Sequence, residues 1–134
     1  MIKIIVFLLL SSSLLFGQQT EKVDFLELNA TVSIDTINFE VKGQVEVSFK
    51  ILKDVDSVYL DAVDMRIKPS ESNSLKIVTT DDKIWMTSNF KKDKSYSATF
   101  SYKCEPKQAL YFVGFNSTLK AYPSQVWTQG QGKY

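Results

Sequence analysis

Strict alternation of apolar and polar residues marks two neighbouring segments in the first third of the chain. Residues 26–35 alternate apolar and polar side chains, and residues 41–51 repeat the pattern. A period of two is typical of β-strands that have one face in the core and the other in water. Residues 35–40 are mostly polar and can turn the chain. The pattern therefore predicts two long antiparallel strands joined by a turn, each with one buried face.

Shorter apolar or alternating runs follow at intervals of roughly ten residues, as in sandwich proteins. They lie at residues 58–60, 65–67, 75–78, 84–86, 96–102 and 110–113. Asp81, Asp82 and Lys83 are predicted to form a hairpin tip between two of these runs. A sustained helical period is not found. The sequence predicts an all-β fold, an antiparallel curved sheet or sandwich of about seven or eight strands.

The first residues have the three parts of a secretory signal peptide. Lys3 supplies the basic part, residues 4–16 are apolar apart from three serines, and Gly17 is the small residue expected at the cleavage site. The apolar run is shorter than the roughly 20 residues that span a bilayer, which argues against a membrane anchor. We expect removal of residues 1–17, and a product, residues 18–134, that is exported to a periplasm or the extracellular space and leaves the membrane.

Composition excludes several classes of function. The chain has 134 residues, enough for one domain, and its 16 basic and 15 acidic residues give a net charge of +1. Binding to nucleic acid through the phosphate backbone is therefore not expected. Histidine is absent and Cys104 is the only cysteine, so this chain cannot form His-containing zinc sites, Ser-His-Asp triads, Cys-His dyads or internal disulfides. Cys104 is interpreted as a small packed residue at a strand end.

The order of these segments resembles a known domain. A Leu-x-Leu-x-Ala-x-Val strand precedes a Val-x-Gly-x-Val-x-Val-x-Phe strand, and Val-Tyr-Leu-Asp-Ala-Val-Asp, Tyr-Ser-Ala-Thr-Phe-Ser-Tyr, Leu-Tyr-Phe and Trp-Thr-Gln-Gly-Gln follow. Residues 23–134 resemble the amino-terminal β domain of zinc aminopeptidases of the aminopeptidase N type, the gluzincin group that includes the leukotriene hydrolases. Residues 128–131, Thr-Gln-Gly-Gln, are the most specific element, and Phe39 and Gly43 belong to a second one.

The resemblance implies that this chain is one part of a larger enzyme. In the family, a later catalytic domain binds zinc through a His-Glu-x-x-His helix and a further Glu, and zinc-activated water attacks the first peptide bond. None of those motifs occurs in these 134 residues. We therefore expect a β domain that is incomplete at its carboxyl end, binds no zinc, contains no catalytic residue and is inactive alone. Its implied partners are the catalytic domain of the same polypeptide and the amino terminus of a peptide substrate.

The resemblance also assigns two candidate binding residues. Gln129 matches the position that lines the pocket for the first side chain of the substrate. Gln131 matches the position that holds the free α-amino group, where many family members have Glu. A carboxylate binds an ammonium more strongly than a neutral amide does, so the amide is expected to weaken recognition of the amine.

Two alternatives remain open at this stage. The chain could be a complete, exported β-sandwich that binds a surface polymer or a protein, with Trp85, Trp127 and the tyrosines as stacking surfaces. It could also belong to a family member whose catalytic domain has lost its zinc ligands. The reading frame beyond Tyr134 separates the first alternative from the peptidase. A truncated domain should also leave apolar faces and strand edges uncovered.

Overall fold

The computed structural model describes residues 19–115 and 123–129. These residues form a short 3₁₀ helix, Gln19–Glu21, and nine strands. The strands are β1 (Val23–Asp35), β2 (Glu40–Ile51), β3 (Val55–Asp61), β4 (Met65–Pro69), β5 (Lys76–Thr79), β6 (Lys83–Phe90), β7 (Ser95–Cys104), β8 (Leu110–Val113) and β9 (Gln125–Thr128). The predicted all-β class is confirmed. The nine described strands are one more than the seven or eight expected. The predicted signal peptide lies outside the described residues.

The strands form two sheets and a separate hairpin, and every pairing is antiparallel. One sheet has the order β1-β2-β7-β4, the second has the order β3-β6-β5, and β8 pairs with β9. The predicted pairing of the two long strands is confirmed, from Val23 opposite Ile51 to Asp35 opposite Glu40. The predicted hairpin tip is confirmed at Asp81 and Asp82, which lie between β5 and β6, whereas Lys83 already belongs to β6.

The core lies between the two sheets. Alternate residues of β2 and β7 face β3 and β6, as expected when period-two strands from two sheets pack together. Phe49 and Ile51 of β2, Val58 of β3, and Met86 and Phe90 of β6 have no solvent exposure. The second half of β2 and the strand β6 therefore form the centre of the core.

The prediction of a buried apolar face is wrong for most of β1. We call Leu28, Ala30, Val32 and Ile34 the β1 apolar strip. They lie opposite Val47, Val45, Gly43 and Val41 and therefore on the same face of the sheet as the core. Even so, Leu28 is 56% exposed, Val32 54% and Ile34 45%. The physical reason is that β1 is the outermost strand, and the second sheet does not extend over residues 28–34.

An irregularity near the start of β1 also differs from the strict alternation in the sequence. The register shifts between Phe25 and Glu27, so that Leu26 is an extra residue in a β-bulge. The bulge keeps Phe25, opposite Phe49, on the same face as Leu28, although the two are an odd number of positions apart. Leu26 consequently falls outside the alternation predicted for residues 26–35.

One side chain occupies part of the edge of the second sheet. The backbone N–H of Tyr59, in the outer strand β3, donates to Oε1 of Gln19 at 3.0 Å. Nε2 of Gln19 donates in turn to the carbonyl oxygen of Tyr59. The amide therefore pairs with the backbone as a neighbouring strand would, and satisfies two groups on an otherwise open edge.

A buried carboxylate lies where β2 begins. Glu40 is 7% exposed, and its carboxylate forms salt bridges with Lys103 and, at 3.3 Å, with Lys42. The Lys103 hydrogen bond is the main cause of a lowered pKa of Glu40, with Lys42 adding to it. Asp35 has a lowered pKa as well, chiefly because the side chain and backbone N–H of Asn38 donate to it.

These shifts predict a loss of stability in acid. The folded-state pKa of Glu40 lies below its unfolded value, so its contribution is present above the unfolded pKa and is lost as the pH falls through the folded pKa. We expect urea unfolding to show a smaller pH dependence between about pH 5 and pH 3 for Glu40→Gln than for the unaltered chain. Glu46→Gln, at an exposed position of the same strand, should keep the original dependence. Equal slopes for all three proteins would contradict this assignment.

Candidate functional site

Gln129 lies directly after β9 and continues the hairpin by one backbone hydrogen bond. The pairs of the hairpin run from Leu110 opposite Thr128 to Val113 opposite Gln125. The N–H of Gln129 donates to the carbonyl oxygen of Ala109 at 2.9 Å, and the residue itself is exposed. The backbone at this candidate site is therefore tied to β8, while the residue remains accessible to a ligand.

Two aromatic rings lie on the exposed face of the same hairpin. Tyr111 and Trp127 are cross-strand neighbours, and their rings stack with centroids 4.8 Å apart and planes at 28°. Tyr111 is 37% exposed and Trp127 is 42% exposed. Since Trp127 is only two residues before Gln129, the rings provide an apolar surface beside the candidate binding residue.

The opposite face of the hairpin packs on the turn between β1 and β2. The ring of Phe39 in that turn contacts Phe112 and Phe115 edge-on, with centroids 5.3 Å and 6.1 Å away. Phe39 has a φ of 55°, a value that bulky side chains seldom adopt. The unusual backbone aims this ring at the hairpin, and the contact positions Gln129 relative to the larger sheet.

Only one of the two predicted binding residues can be placed. Gln131 lies outside the described residues, so the geometry of the site is given for Gln129 alone. The sequence prediction that both amides line one site therefore stays a prediction.

Cys104 is the last residue of β7 and is partly buried. Burial raises the pKa of its thiol, which disfavours the thiolate that nucleophilic chemistry needs. The same burial raises the pKa of the neighbouring Tyr102 hydroxyl, with a smaller effect of Cys104. The environment agrees with the interpretation of Cys104 as a packed residue.

A polar cleft lies between the outer strands β4 and β5. It has a volume of about 710 Å³, and Arg66, Asp81 and Glu105 are among the residues that line it. Arg66 donates to Glu105 at 2.6 Å, but both side chains are more than half exposed. Charges that are already paired and solvated are weak ligands for a further ion, so the cleft is a poor candidate for a binding site.

The described residues do not fit a zinc site. No group of three or more histidine, cysteine, aspartate or glutamate residues comes together there in a way that could hold a metal ion. The whole chain has no histidine, the residue found in most catalytic zinc sites. In the described part of the chain there is also no helix of the length and apolar character that would cross a bilayer.

The sequence interpretation missed β9 and therefore the stacked rings. The last run predicted as a strand ends at residue 113, yet Gln125–Thr128 pairs in register with β8. The available signal was short: Val126 and Trp127, two residues favoured in strands, lie between the polar residues Gln125 and Thr128. Four residues are too few for periodicity to be decisive.

Comparison with known proteins gives similarity at the level of structure. No protein-family model matches the chain, and no curated protein matches it in sequence. One similar structure is a two-domain M1 zinc metallopeptidase crystallised with L-tryptophan, with a TM-score of 0.56, 13% identity and 66% of this chain covered. Another is native leukotriene A4 hydrolase from Saccharomyces cerevisiae, with a TM-score of 0.56, 14% identity and 76% of this chain covered.

The match involves only part of each of those proteins. This chain corresponds to 22% of the metallopeptidase and to 19% of the hydrolase, about a fifth of each. At such low identity the likeness establishes the fold and leaves the chemistry to be argued from the residues. The chain thus has a β fold that also occurs in an M1 zinc metallopeptidase and in a leukotriene A4 hydrolase, as its resemblance to the gluzincin β domain predicts.

Proposed function

We propose that this chain is the amino-terminal β domain of an exported zinc aminopeptidase, a larger protein that removes residues from the amino termini of peptides. In this proposal the domain presents a loop that recognises the substrate amino terminus, and it supplies no group to bond cleavage. The catalytic domain of the same polypeptide would hold the metal, since the described residues here do not fit one.

The observation that carries the proposal is the position of Gln129. It lies at the end of a hairpin that is fixed to the larger sheet through Phe39 and Phe112, in a fold shared with an M1 zinc metallopeptidase and a leukotriene A4 hydrolase. The Thr-Gln-Gly-Gln sequence at residues 128–131, the most specific element of the resemblance, is therefore supported on one side by regular structure.

The chemistry of the two amides suits the proposed role. Oε1 of a glutamine accepts a hydrogen bond, so Gln131 can bind the N–H groups of a substrate ammonium. Gln129, exposed beside Trp127, can line the space for the first side chain. Neither residue takes up or releases a proton near neutral pH, and both roles are therefore limited to binding and orientation.

The proposal is tested on the full-length product of the gene that encodes this chain. That product should release the first residue from unblocked peptides, should leave N-acetylated peptides intact, and should lose activity when a chelator such as 1,10-phenanthroline is added. The 134-residue chain should be inactive in the same assay. A stop codon directly after Tyr134, or chelator-sensitive activity of the 134-residue chain, would contradict the proposal.

Gln131 gives a prediction that concerns recognition alone. Removing a hydrogen bond to a charged group costs about 1.5–3 kcal/mol, so Gln131→Ala in the full-length protein should raise KM about 10- to 150-fold with little change in kcat. Gln131→Glu should lower KM, because a carboxylate adds the attraction of opposite charges to the hydrogen bond with the ammonium. Gln125→Ala, at another exposed amide of the hairpin, is the matched control. Equal KM values for the glutamate and alanine variants would rule out contact with the amine.

The exposed rings Tyr111 and Trp127 favour a second candidate, a binding module that acts without a catalytic domain. A polymer or protein ligand could stack on this surface. Trp85 is less suitable, because it is only partly exposed and packs against Tyr59 at 5.1 Å. The reading frame after Tyr134 distinguishes the two candidates directly.

A further inference from the structure

The β1 apolar strip is an extension of the core that the described residues leave uncovered. Its members lie beside Val47, Val45 and Val41, which are at most 7% exposed, while Leu28 and Val32 are more than half exposed. A sharp change from buried to exposed across one pair of strands marks the point where the covering layer ends. Contiguous apolar surface of this kind is typical of a docking surface.

The outer edge of β1 is open as well. β1 is the longest strand described, and no other described strand pairs with it on the side away from β2. It contains no lysine, arginine or proline, the residues that commonly protect such edges, and its bulge lies near one end, at Leu26. Residues 27–35 therefore offer backbone hydrogen bonds together with an apolar face.

The charges of β1 restrict what can bind there. Asp24, Glu27 and Asp35 are its only charged residues, and Lys42 is the only salt-bridge partner that the described residues provide for any of them, at 3.3 Å from Asp35. Opposite charges across a ladder stabilise it, whereas like charges directly opposite destabilise it. A basic strand is favoured.

We propose that β1 is extended by a further antiparallel or parallel strand, with alternating apolar and basic residues, whose apolar side chains cover the β1 apolar strip. This inference rests on the proposed function, because the strand is assigned to the remainder of the same polypeptide. The proteins that share the fold are about five times as long as the matched region, so a longer polypeptide has ample sequence to supply it.

A second copy of this chain fits the surface less well. Antiparallel pairing centred on Thr31 brings the two apolar strips into full contact, but it sets Glu27 of each copy opposite Asp35 of the other. The combined ladder would then contain six acidic residues and no basic ones. A self-paired dimer is the main competing outcome of the test.

The test measures amide hydrogen exchange in β1, in the 134-residue chain and in the full-length product. Docking predicts that exchange of the amides in residues 27–35 is at least about 100-fold slower in the full-length product. Val32→Lys should remove this protection and lower the unfolding temperature of the full-length protein. Thr31→Gln, an uncharged change on the opposite face of the same strand, is the matched control and should do neither.

Each result decides the matter without reference to activity. Equal exchange in the two unaltered proteins overturns the proposal even if the full-length product is an active peptidase. Slow exchange in the full-length product supports it even if that product is inactive, in which case the proposed function fails alone. A protected β1 in a dimer of the 134-residue chain, or a gene that ends at Tyr134, overturns it.

Discussion

Replacing Phe49 by alanine is expected to lower the free energy of unfolding by about 3–5 kcal/mol. Phe49 has no solvent exposure, and its ring lies 5.7 Å from Phe90, 5.9 Å from Phe25 and 6.0 Å from Tyr96. These rings belong to β6, β1 and β7. The substitution therefore leaves a cavity where both sheets meet, and rigid neighbours on three strands cannot easily fill it.

Urea unfolding followed by tryptophan fluorescence measures this effect, since Trp85 lies in β6. Phe25→Ala is the matched control, because the same ring type is removed from a position that is 36% exposed. Its loss should be less than about 2 kcal/mol, in line with the smaller apolar area withdrawn from water. If the two variants lose equal stability, Phe49 is not the centre of the core that the packing indicates.

Gly43→Ala is expected to lower the free energy of unfolding by about 1–3 kcal/mol through overpacking. A Cβ at this position would lie 2.5 Å from Cε1 of Tyr102 and 2.6 Å from the backbone oxygen of Thr31. The tyrosine ring can move, but the Thr31 carbonyl belongs to the β1 backbone, which is paired with β2. The added methyl group must therefore push two paired strands apart.

A double variant separates the two contacts. Tyr102→Leu combined with Gly43→Ala should recover only part of the lost stability, because the contact with the Thr31 oxygen remains. Gln44→Ala, at the exposed neighbouring position, should change stability by less than about 0.5 kcal/mol. Complete recovery of stability in the double variant would contradict this, because it would show that the β1 backbone shifts at little cost and that only the Tyr102 ring excludes a side chain at position 43.

The two residues of the second family motif illustrate what sequence can and cannot give. The sequence shows Phe39 and Gly43 as part of a pattern, but only the three-dimensional contacts explain why these residue types are needed. Gly43 is needed because the Tyr102 ring and the Thr31 carbonyl oxygen lie against it, and Phe39 adopts a φ of 55° that directs its ring at Phe112. The two aromatic partners are about 60 to 70 positions away, and periodicity does not connect residues so far apart.

Local patterns nevertheless predicted most of the strands. The β1–β2 pairing and the β5–β6 tip follow from alternation and turn residues within about 25 positions. The assignment of strands to sheets did not follow, since β4 lies beside β7 rather than β5. Alternation also shows which side of β1 is apolar but not whether anything covers it, and that is why its buried face was wrongly expected.

The candidate site was predictable only in part for the same reason. Thr128 and Gln129 were identified by resemblance, while their support by β8 depends on one short ladder. The sequence contains Tyr111 and Trp127 but does not indicate that their rings stack, because 15 residues separate the two along the chain. Short strands closed by long connections are difficult to recognise from pattern alone.

The pairing of Gln19 with Tyr59 has a consequence for where a recombinant form of this chain should begin. The glutamine lies two positions after the predicted cleavage site at Gly17, so a recombinant form trimmed to Lys22 would lose both hydrogen bonds to the backbone of β3. The open edge of β3 could then pair with a strand of another molecule when the protein is concentrated. Start sites at or before Gln19 are the safer choice for crystallisation.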